Sequence, residues 1–351
     1  MMNLRLRESI VQELDEMGRP VERQLSSPEY QLLRERGVRV LGLERFDIPH
    51  ARGAHHGYSR MIRLAYFEHP SYVTLLKRSY ELWDMLERES RQKLLHITGG
   101  LYLGRPTSEL VTGSLAAAQQ HNLPHETLTR AEVAVRFPQF QVPNDTIAFF
   151  ETKAGFLIPE RVVTAQAECA MRLGADLHGH EPVTDWQAST AGVTVTTTRD
   201  KYHADHVVFC GGAWSSRLVK DLGVNLTVTR QVLGWVWPRE PDTFQLGKFP
   251  VWALDMNERE QFRGIHYGFP MMPDNPGLKV ALHFPAKATD PDTMVREPME
   301  GDEQEFLPVI RQYLPQGDGP VLAIRTCLYT NSPDGHFIID RHPVHKNVSI
   351  A

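Results

Sequence analysis

Apolar positions along the chain follow two periods. Tyr72, Leu75, Leu76, Leu82, Trp83 and Leu86 recur at helical spacing, which predicts an amphipathic helix over 71–90. Glu109 to His121 reads as a second helix. Pro159 to Leu173 reads as a third, with proline in its first turn and Gly174 just past its end. Strands are predicted where apolar residues run together or alternate: Val38 to Glu44, Gly99 to Leu103, Val193 to Thr196, Val207 to Cys210 and a final run at Asn347 to Ala351. Upstream, Arg5 to Met17 reads as a charged helix broken by Gly18-Arg19-Pro20, and Ser26-Ser27-Pro28 as the start of another. Tyr30 to Arg36 reads as a helix end with Gly37 just beyond it.

These elements carry a fold class. Val38-Arg39-Val40-Leu41-Gly42-Leu43-Glu44 has the composition of a buried parallel strand. An acid at the C-terminal end of such a strand is where dinucleotide folds hold ribose hydroxyls. Val207 to Cys210 runs into the tight turn Gly211-Gly212-Ala213-Trp214-Ser215 and a helix predicted over Ser216 to Leu222, again a strand, a glycine turn and a helix. Residues 225–330 are different, rich in strand signals, prolines and aromatics. The α/β segments at 37–66, 155–222 and 335–351 enclose the remaining ones, so the expected fold is α/β with domains discontinuous in sequence.

Composition narrows the function. The 351 residues suggest about two domains, and 41% apolar with 23% charged residues is the balance of a globular protein. A net charge of −5 offers no surplus of cations for a phosphate backbone, so nucleic acid is not an expected partner. Three cysteines without a CxxC pair give neither a disulfide framework nor a metal spacing. No apolar run reaches the length of a membrane span, and the first thirty residues lack a signal-peptide core. A cytoplasmic protein with no membrane partner is expected.

Three clusters could carry chemistry. In His55-His56-Gly57-Tyr58-Ser59-Arg60-Met61-Ile62-Arg63, a helix would put His56, Arg60 and Arg63 on one face. Two guanidinium forks aimed one way suit a carboxylate, and a solvated basic face is the plainer alternative. Metal binding by His55-His56 is disfavoured, because neighbours on a helix point to different faces. Along Gly277-Leu278-Lys279-Val280-Ala281-Leu282-His283, a strand puts Lys279 and His283 on the same side. Lys279 is then either desolvated and reactive or a side chain crossing the sheet edge into water. In the third cluster Cys327 stands two residues from Arg325, either a small buried hydrophobe or a thiol influenced by the guanidinium.

Together with Tyr267-Gly268-Phe269-Pro270, Cys327-Leu328-Tyr329-Thr330 and His336-Phe337-Ile338-Ile339-Asp340, these blocks resemble one family, in family order and from about Gly37 to the last residue. It is the monomeric sarcosine oxidase and N-methyl-L-tryptophan oxidase family of FAD-dependent, D-amino-acid-oxidase-like amine oxidases. The resemblance implies a Rossmann-like FAD-binding domain (37–85, 155–224 and 318–351), an antiparallel-sheet substrate domain (86–154 and 225–317) and an atypical N-terminal segment (1–36). It implies FAD attached covalently through its 8α-methyl group to Cys327, with Glu44 on the adenosine ribose and Val183, Gly211 and Trp214 as further cofactor contacts. His56 and Arg60 would pack near the flavin ring, and Arg63 would grip the substrate carboxylate. Lys279 would stand where oxygen is reduced, while Tyr267, His283 and Tyr329 would line the substrate cavity. The implied reaction converts an N-methyl amino acid and molecular oxygen into the amino acid, formaldehyde and hydrogen peroxide, in a monomer without metal.

Two departures from the family pattern stand out. The family opens with a strand and a GxGxxG turn, whereas the only glycine here before Gly37 is Gly18. The family also continues beyond the position of Ala351 into a glycine-rich, flavin-contacting stretch. A truncated relative that keeps the fold without retaining FAD is therefore the alternative expectation. A nicotinamide-dependent dehydrogenase rests on Glu44 alone.

Overall fold

The computed structural model describes residues 37–219, 221–256, 264–275, 277–284 and 286–351. The helices expected at 5–17 and 30–36 lie outside them. In chain order the first elements are β1 (Leu41–Leu43), β2 (Arg60–Ile62), α1 (Tyr72–Ser90), β3 (Leu95–Ile97), β4 (Gly100–Gly104), α2 (Glu109–His121), β5 (Glu126–Thr129), α3 (Arg130–Arg136), β6 (Ile147–Glu151), β7 (Gly155–Leu157) and α4 (Pro159–Arg172). There follow β8 (Asp176–His178), β9 (Val183–Ser189), β10 (Gly192–Thr197), β11 (Lys201–Ala204), β12 (Val207–Phe209), α5 (Ser215–Leu218), β13 (Thr227–Val236), β14 (Val251–Asp255), β15 (Ile265–Phe269), β16 (Leu278–Leu282) and β17 (Lys287–Ala288). The chain closes with α6 (Leu307–Tyr313), β18 (Val321–Asn331), β19 (Asp340–Arg341) and β20 (Val348–Ile350).

Helix boundaries follow local chemistry. Ser108 caps α2 by accepting the Val111 N–H, and Asn122 ends it in the left-handed conformation. Thr129 and Glu132 form a capping box at α3, and Pro159 opens α4. The helix expected over Ser216–Leu222 is shorter, a 3-10 turn at Gly212–Trp214 followed by α5. The His55–Arg63 block is not helical: Arg60 begins β2, and the residues before it form a loop in which Gly57 and Tyr58 both have positive φ, 96° and 64°. Glycine at position 57 tolerates that conformation; the β2 pairing with β7 then takes Arg60 and Ile62 out of any helical register.

Two kinds of sheet build the molecule. β1 pairs in parallel with β8, and β12 in parallel with β20, which is the dinucleotide-type part of the fold. The large sheet has nine strands, ordered β17-β13-β16-β15-β14-β4-β6-β5, with β18 paired along β13. Only the β14·β4 pair in it is parallel. Residues 321–331, grouped by sequence with the dinucleotide-type segments, thus belong to the large sheet, because β18 pairs with β13 from Thr227 to Val236. Alternation sorts the side chains: Leu101, Leu103, Trp252, Leu254 and Val280 fill one face, while Tyr102, Ala253 and Phe269 face α2 and the loop after β2.

Helix α2 crosses that loop at its glycine. A Cβ on Gly113 would lie 2.1 Å from the Phe67 carbonyl oxygen, a backbone atom that cannot swing aside. At an uncrowded helical site Gly→Ala is stabilising. Here Gly113→Ala should destabilise the protein by about 1–3 kcal/mol, and urea unfolding that gives an unchanged or raised midpoint would contradict the close approach.

Candidate active site

The site forms where the 53–59 loop lies on one face of the large sheet. β15, β16 and β18 present Tyr267, Lys279, Cys327 and Tyr329 toward it, packed with Leu233, Trp235 and Ala281. Lys279 does not cross the sheet edge. It is 2% exposed, and its strand runs between β13 and β15. Its Nζ lies 2.6 Å from the Gly57 carbonyl, 2.9 Å from the Ser59 carbonyl and 3.1 Å from the Ser59 Oγ. Trp235 and Phe269 flank it at 5.4 and 4.8 Å. Burial holds the amine's pKa well below the ordinary lysine value, and the Arg60 charge pushes the same way.

Arg60 turns back over the loop. Its Nη2 donates to the Ala54 carbonyl, reaches the His56 carbonyl at 3.4 Å and lies 4.0 Å from Cys327 Sγ. Cys327 is buried with its sulfur 3.9 Å from the Gly53 and Ala54 carbonyls. His56, 3% exposed, has both ring nitrogens without a partner among the described residues. Burial, then Arg60 and Lys279, push its pKa down to about 4, so the ring is neutral at pH 7. Tyr329 joins Tyr267 and His283: its hydroxyl is 3.5 Å from the Tyr267 hydroxyl and 3.3 Å from His283 Nδ1. His283 is likewise held neutral, at about 4, by burial and by Arg63 and Arg60.

Arg63 carries a partner that sequence reading missed. Its Nη2 donates to both oxygens of Glu68, at 3.0 and 2.9 Å, and the guanidinium lies over Tyr66 and Phe67. The loop that presents it is fastened by Glu151, a buried carboxylate that accepts the Leu64 and Ala65 N–H groups and the Tyr102 hydroxyl. Neither acid had a signal beyond its type, since Glu68 follows Arg63 by five positions and Glu151 lies 86 positions from Ala65.

The other expected contacts gather away from this face. Glu44 follows β1, accepts the Phe46 N–H at 2.8 Å and lies 3.5 Å from His50 Nε2. Burial opposes its charge, but the His50 and Phe46 contacts prevail and lower its pKa. The Glu44 carbonyl accepts the Glu181 N–H, which brings Val183 at the start of β9 close to it. Trp214 stands beside Phe46 at 5.4 Å and donates its indole N–H to Asp292. Gly211 precedes that turn, where a Cβ would meet Leu218 at 2.6 Å.

Elsewhere, Asp221, His342 and His345 bring potential metal-ligand atoms within 4.8 Å of one another. His342 Nδ1 accepts the Val344 and His345 N–H groups, so the proton of the neutral ring sits on Nε2 and is donated to Asp221 at 3.0 Å. Neither nitrogen then keeps a lone pair for an ion.

The sequence and the fold are shared with known proteins. The family described as FAD dependent oxidoreductase matches residues 30–351. The chain is 42% identical to the monomeric sarcosine oxidase of Streptomyces avermitilis over 323 residues, covering 91% of this chain and 83% of that protein. It is 32% identical to the N-methyl-L-tryptophan oxidase of Yersinia pestis, covering 90% and 83%. The amino acid oxidase NikD has the same fold, with a TM-score of 0.79 at 24% identity over 92% of this chain and 84% of that one.

The buried amine has a measurable signature. With its native pKa depressed, Lys279 sheds its proton in the folded protein while the unfolded chain keeps it up to about pH 10.4. Rising pH in that window therefore favours the folded state. Relative to Lys279→Met, the wild type should gain stability as pH rises toward about 10.4, by up to about 1.4 kcal/mol per pH unit. Parallel urea-unfolding profiles for the two proteins would show that the amine stays charged.

Proposed function

The chain belongs to the family of FAD-dependent oxidoreductases, and on that premise we propose that it oxidises N-methyl (secondary) amino acids such as sarcosine or N-methyltryptophan, with oxygen as acceptor. The products are the amino acid, formaldehyde and hydrogen peroxide. The observation that carries this reading is the convergence of Arg63, Tyr267, Tyr329 and His283 beside Arg60, Cys327 and Lys279, from segments far apart in the chain. We further propose a monomeric, cytoplasmic enzyme; no helix among the described residues is long and apolar enough to cross a membrane.

The residues fit a flavin. His56 has two buried ring nitrogens without a partner among the described residues, near Arg60 and Lys279, and such groups suit the polar edge of a heteroaromatic ring. His56 and Arg60 would hold the ring and Cys327 would bind it covalently, while Glu44, Val183, Gly211 and Trp214 would hold the adenosine end. When bound, FAD supplies the two-electron chemistry that turns the N-methyl amine into an imine and oxygen into hydrogen peroxide. Water then hydrolyses the imine to formaldehyde and the amino acid.

The protein's part is position and field. Arg63 exchanges Glu68 for the substrate carboxylate, so the half-buried guanidinium is ion-paired before and after binding. Tyr267, Tyr329 and neutral His283 offer hydrogen bonds around the amine. Arg60 contributes fixed positive charge in a dry site, where it is worth far more than in water. Lys279, whose proton affinity is suppressed by burial and Arg60, takes up a proton when negative charge develops beside it.

Purified protein should release peroxide with N-methyl amino acids and not with their unmethylated products. Arg63→Ala should raise the KM for the amino acid at least about tenfold, because a charge-assisted hydrogen bond contributes about 1.5–3 kcal/mol. An unchanged KM would remove Arg63 from the carboxylate site. Cys327→Ser should lose its flavin on acid precipitation while the parent stays yellow; flavin that remains attached to that variant would exclude Cys327 as the link.

A further inference from the structure

The Lys279 amine is held by a strained piece of backbone. Gly57 and Tyr58 follow one another in the left-handed region, and the Ser59 N–H donates to the Gly57 carbonyl at 2.8 Å. A hydrogen bond to the second residue along, round a centre of positive φ, is a rare and strained γ-turn. Tyrosine at its centre adds steric cost that glycine would not. Such a turn persists only where its surroundings over-determine it. Its carbonyl at Gly57 is one of the acceptors of Lys279 Nζ, and the next two, the Ser59 carbonyl and Oγ, stand immediately after it.

The N–H side of the same turn is gripped from across the fold. Glu160 is the second residue of α4, more than one hundred positions away, and its Oε1 accepts the Gly57 N–H at 2.7 Å and the Tyr58 N–H at 3.1 Å. Its Oε2 lies 3.3 Å from the Tyr58 nitrogen. Successive N–H groups converging on one anion form a nest, and a carboxylate in the first turn of a helix is favoured by the helix dipole. Tyr58 is also held at its tip, where the hydroxyl accepts Arg325 Nη2 at 2.9 Å. We infer that Glu160 is a positioning residue: by holding the Gly57–Tyr58 amides it keeps the strained turn in place and aims the Gly57 and Ser59 oxygens at Lys279. Its consequence for the reaction with oxygen rests on the role proposed above for Lys279.

Two variants separate acceptance from mere filling of space. Glu160→Ala removes the acceptor, whereas Glu160→Gln keeps one oxygen in the same place. Amide hydrogen exchange over residues 57–59 should accelerate about tenfold or more in Glu160→Ala and stay near the parent in Glu160→Gln, as expected for loss of charge-assisted hydrogen bonds. In flavin-loaded protein, reoxidation by oxygen should slow about tenfold in Glu160→Ala, with reduction by substrate changed far less, and Glu160→Gln should restore it. Should Glu160→Ala not fold, Glu160→Asp, one methylene short of the amides, takes its place with the same expectation. Equal exchange in parent and alanine or aspartate variant, or a glutamine variant as exposed as those, overturns the inference. If Lys279→Met reoxidises as fast as the parent, the role of Lys279 falls, and amide exchange still decides the role of Glu160.

Discussion

Drawing Lys279 wholly, and Arg60 and Arg63 partly, out of water within one site is the constraint around which the rest of the structure is arranged. A cation taken out of water must be paired, solvated by protein dipoles or neutralised. The three side chains use three different answers. Arg63 has a bidentate carboxylate in Glu68. Arg60 is wrapped by backbone carbonyls of its own loop and lies against the Cys327 sulfur. Lys279 is given carbonyl and hydroxyl oxygens, and its proton affinity falls because burial removes it from water and Arg60 adds like charge nearby. Burial first, and the neighbouring positive charge second, keep His56 and His283 neutral, which preserves them as hydrogen-bonding groups instead of adding two more buried cations.

That arrangement explains why the loop before β2 matters more than its length suggests. It supplies oxygens to Lys279, Arg60 and Cys327 at once, so its backbone acts as the solvent of the site. A backbone used this way has to be held against its own preferences. Glu160 from the start of α4 binds the Gly57–Tyr58 turn of this loop, and Glu151 from the end of β6 binds the segment after β2 at Leu64 and Ala65. The large sheet provides the rigid floor, with Tyr267, Lys279, Cys327 and Tyr329 brought to one face by strand alternation. Precision in the site therefore comes from strands, whereas Arg63 is held by a side-chain carboxylate, that of Glu68.

The fold shared with the amino acid oxidases places this site between two differently built parts of the chain. Glu44 follows β1 of the β1·β8 pair, Gly211 and Trp214 follow β12 of the β12·β20 pair and Val183 starts β9, while the nine-stranded sheet carries Tyr267, Lys279, Cys327 and Tyr329. Contacts such as Arg45 with Asp292 and Trp214 with Asp292 join the two parts at the surface. A ligand with one end at each part would be held along its whole length, which suits a dinucleotide whose reactive ring must be fixed while its far end is anchored.

Much of this was written locally in the chain. Apolar periodicity located α1, α2 and α4 to within a residue or two, because side-chain spacing and end-capping depend only on near neighbours. Residue type and order were enough to single out His56, Arg60, Arg63, Lys279 and Cys327 and the family they resemble. Their surroundings were not legible. Spacing offered a helix for His55–Arg63, and pairing of β2 with β7 made it a loop and a strand instead. Lys279 was also open to reading as a sheet-edge side chain until its strand was flanked on both sides. The Glu68 lock on Arg63 and the Glu160 grip on Gly57 left no pattern to read. Burial and pairing are set by contacts across the chain, 222 positions for Lys279 with Gly57 and 274 for Cys327 with Gly53, and no local spacing encodes which distant group arrives.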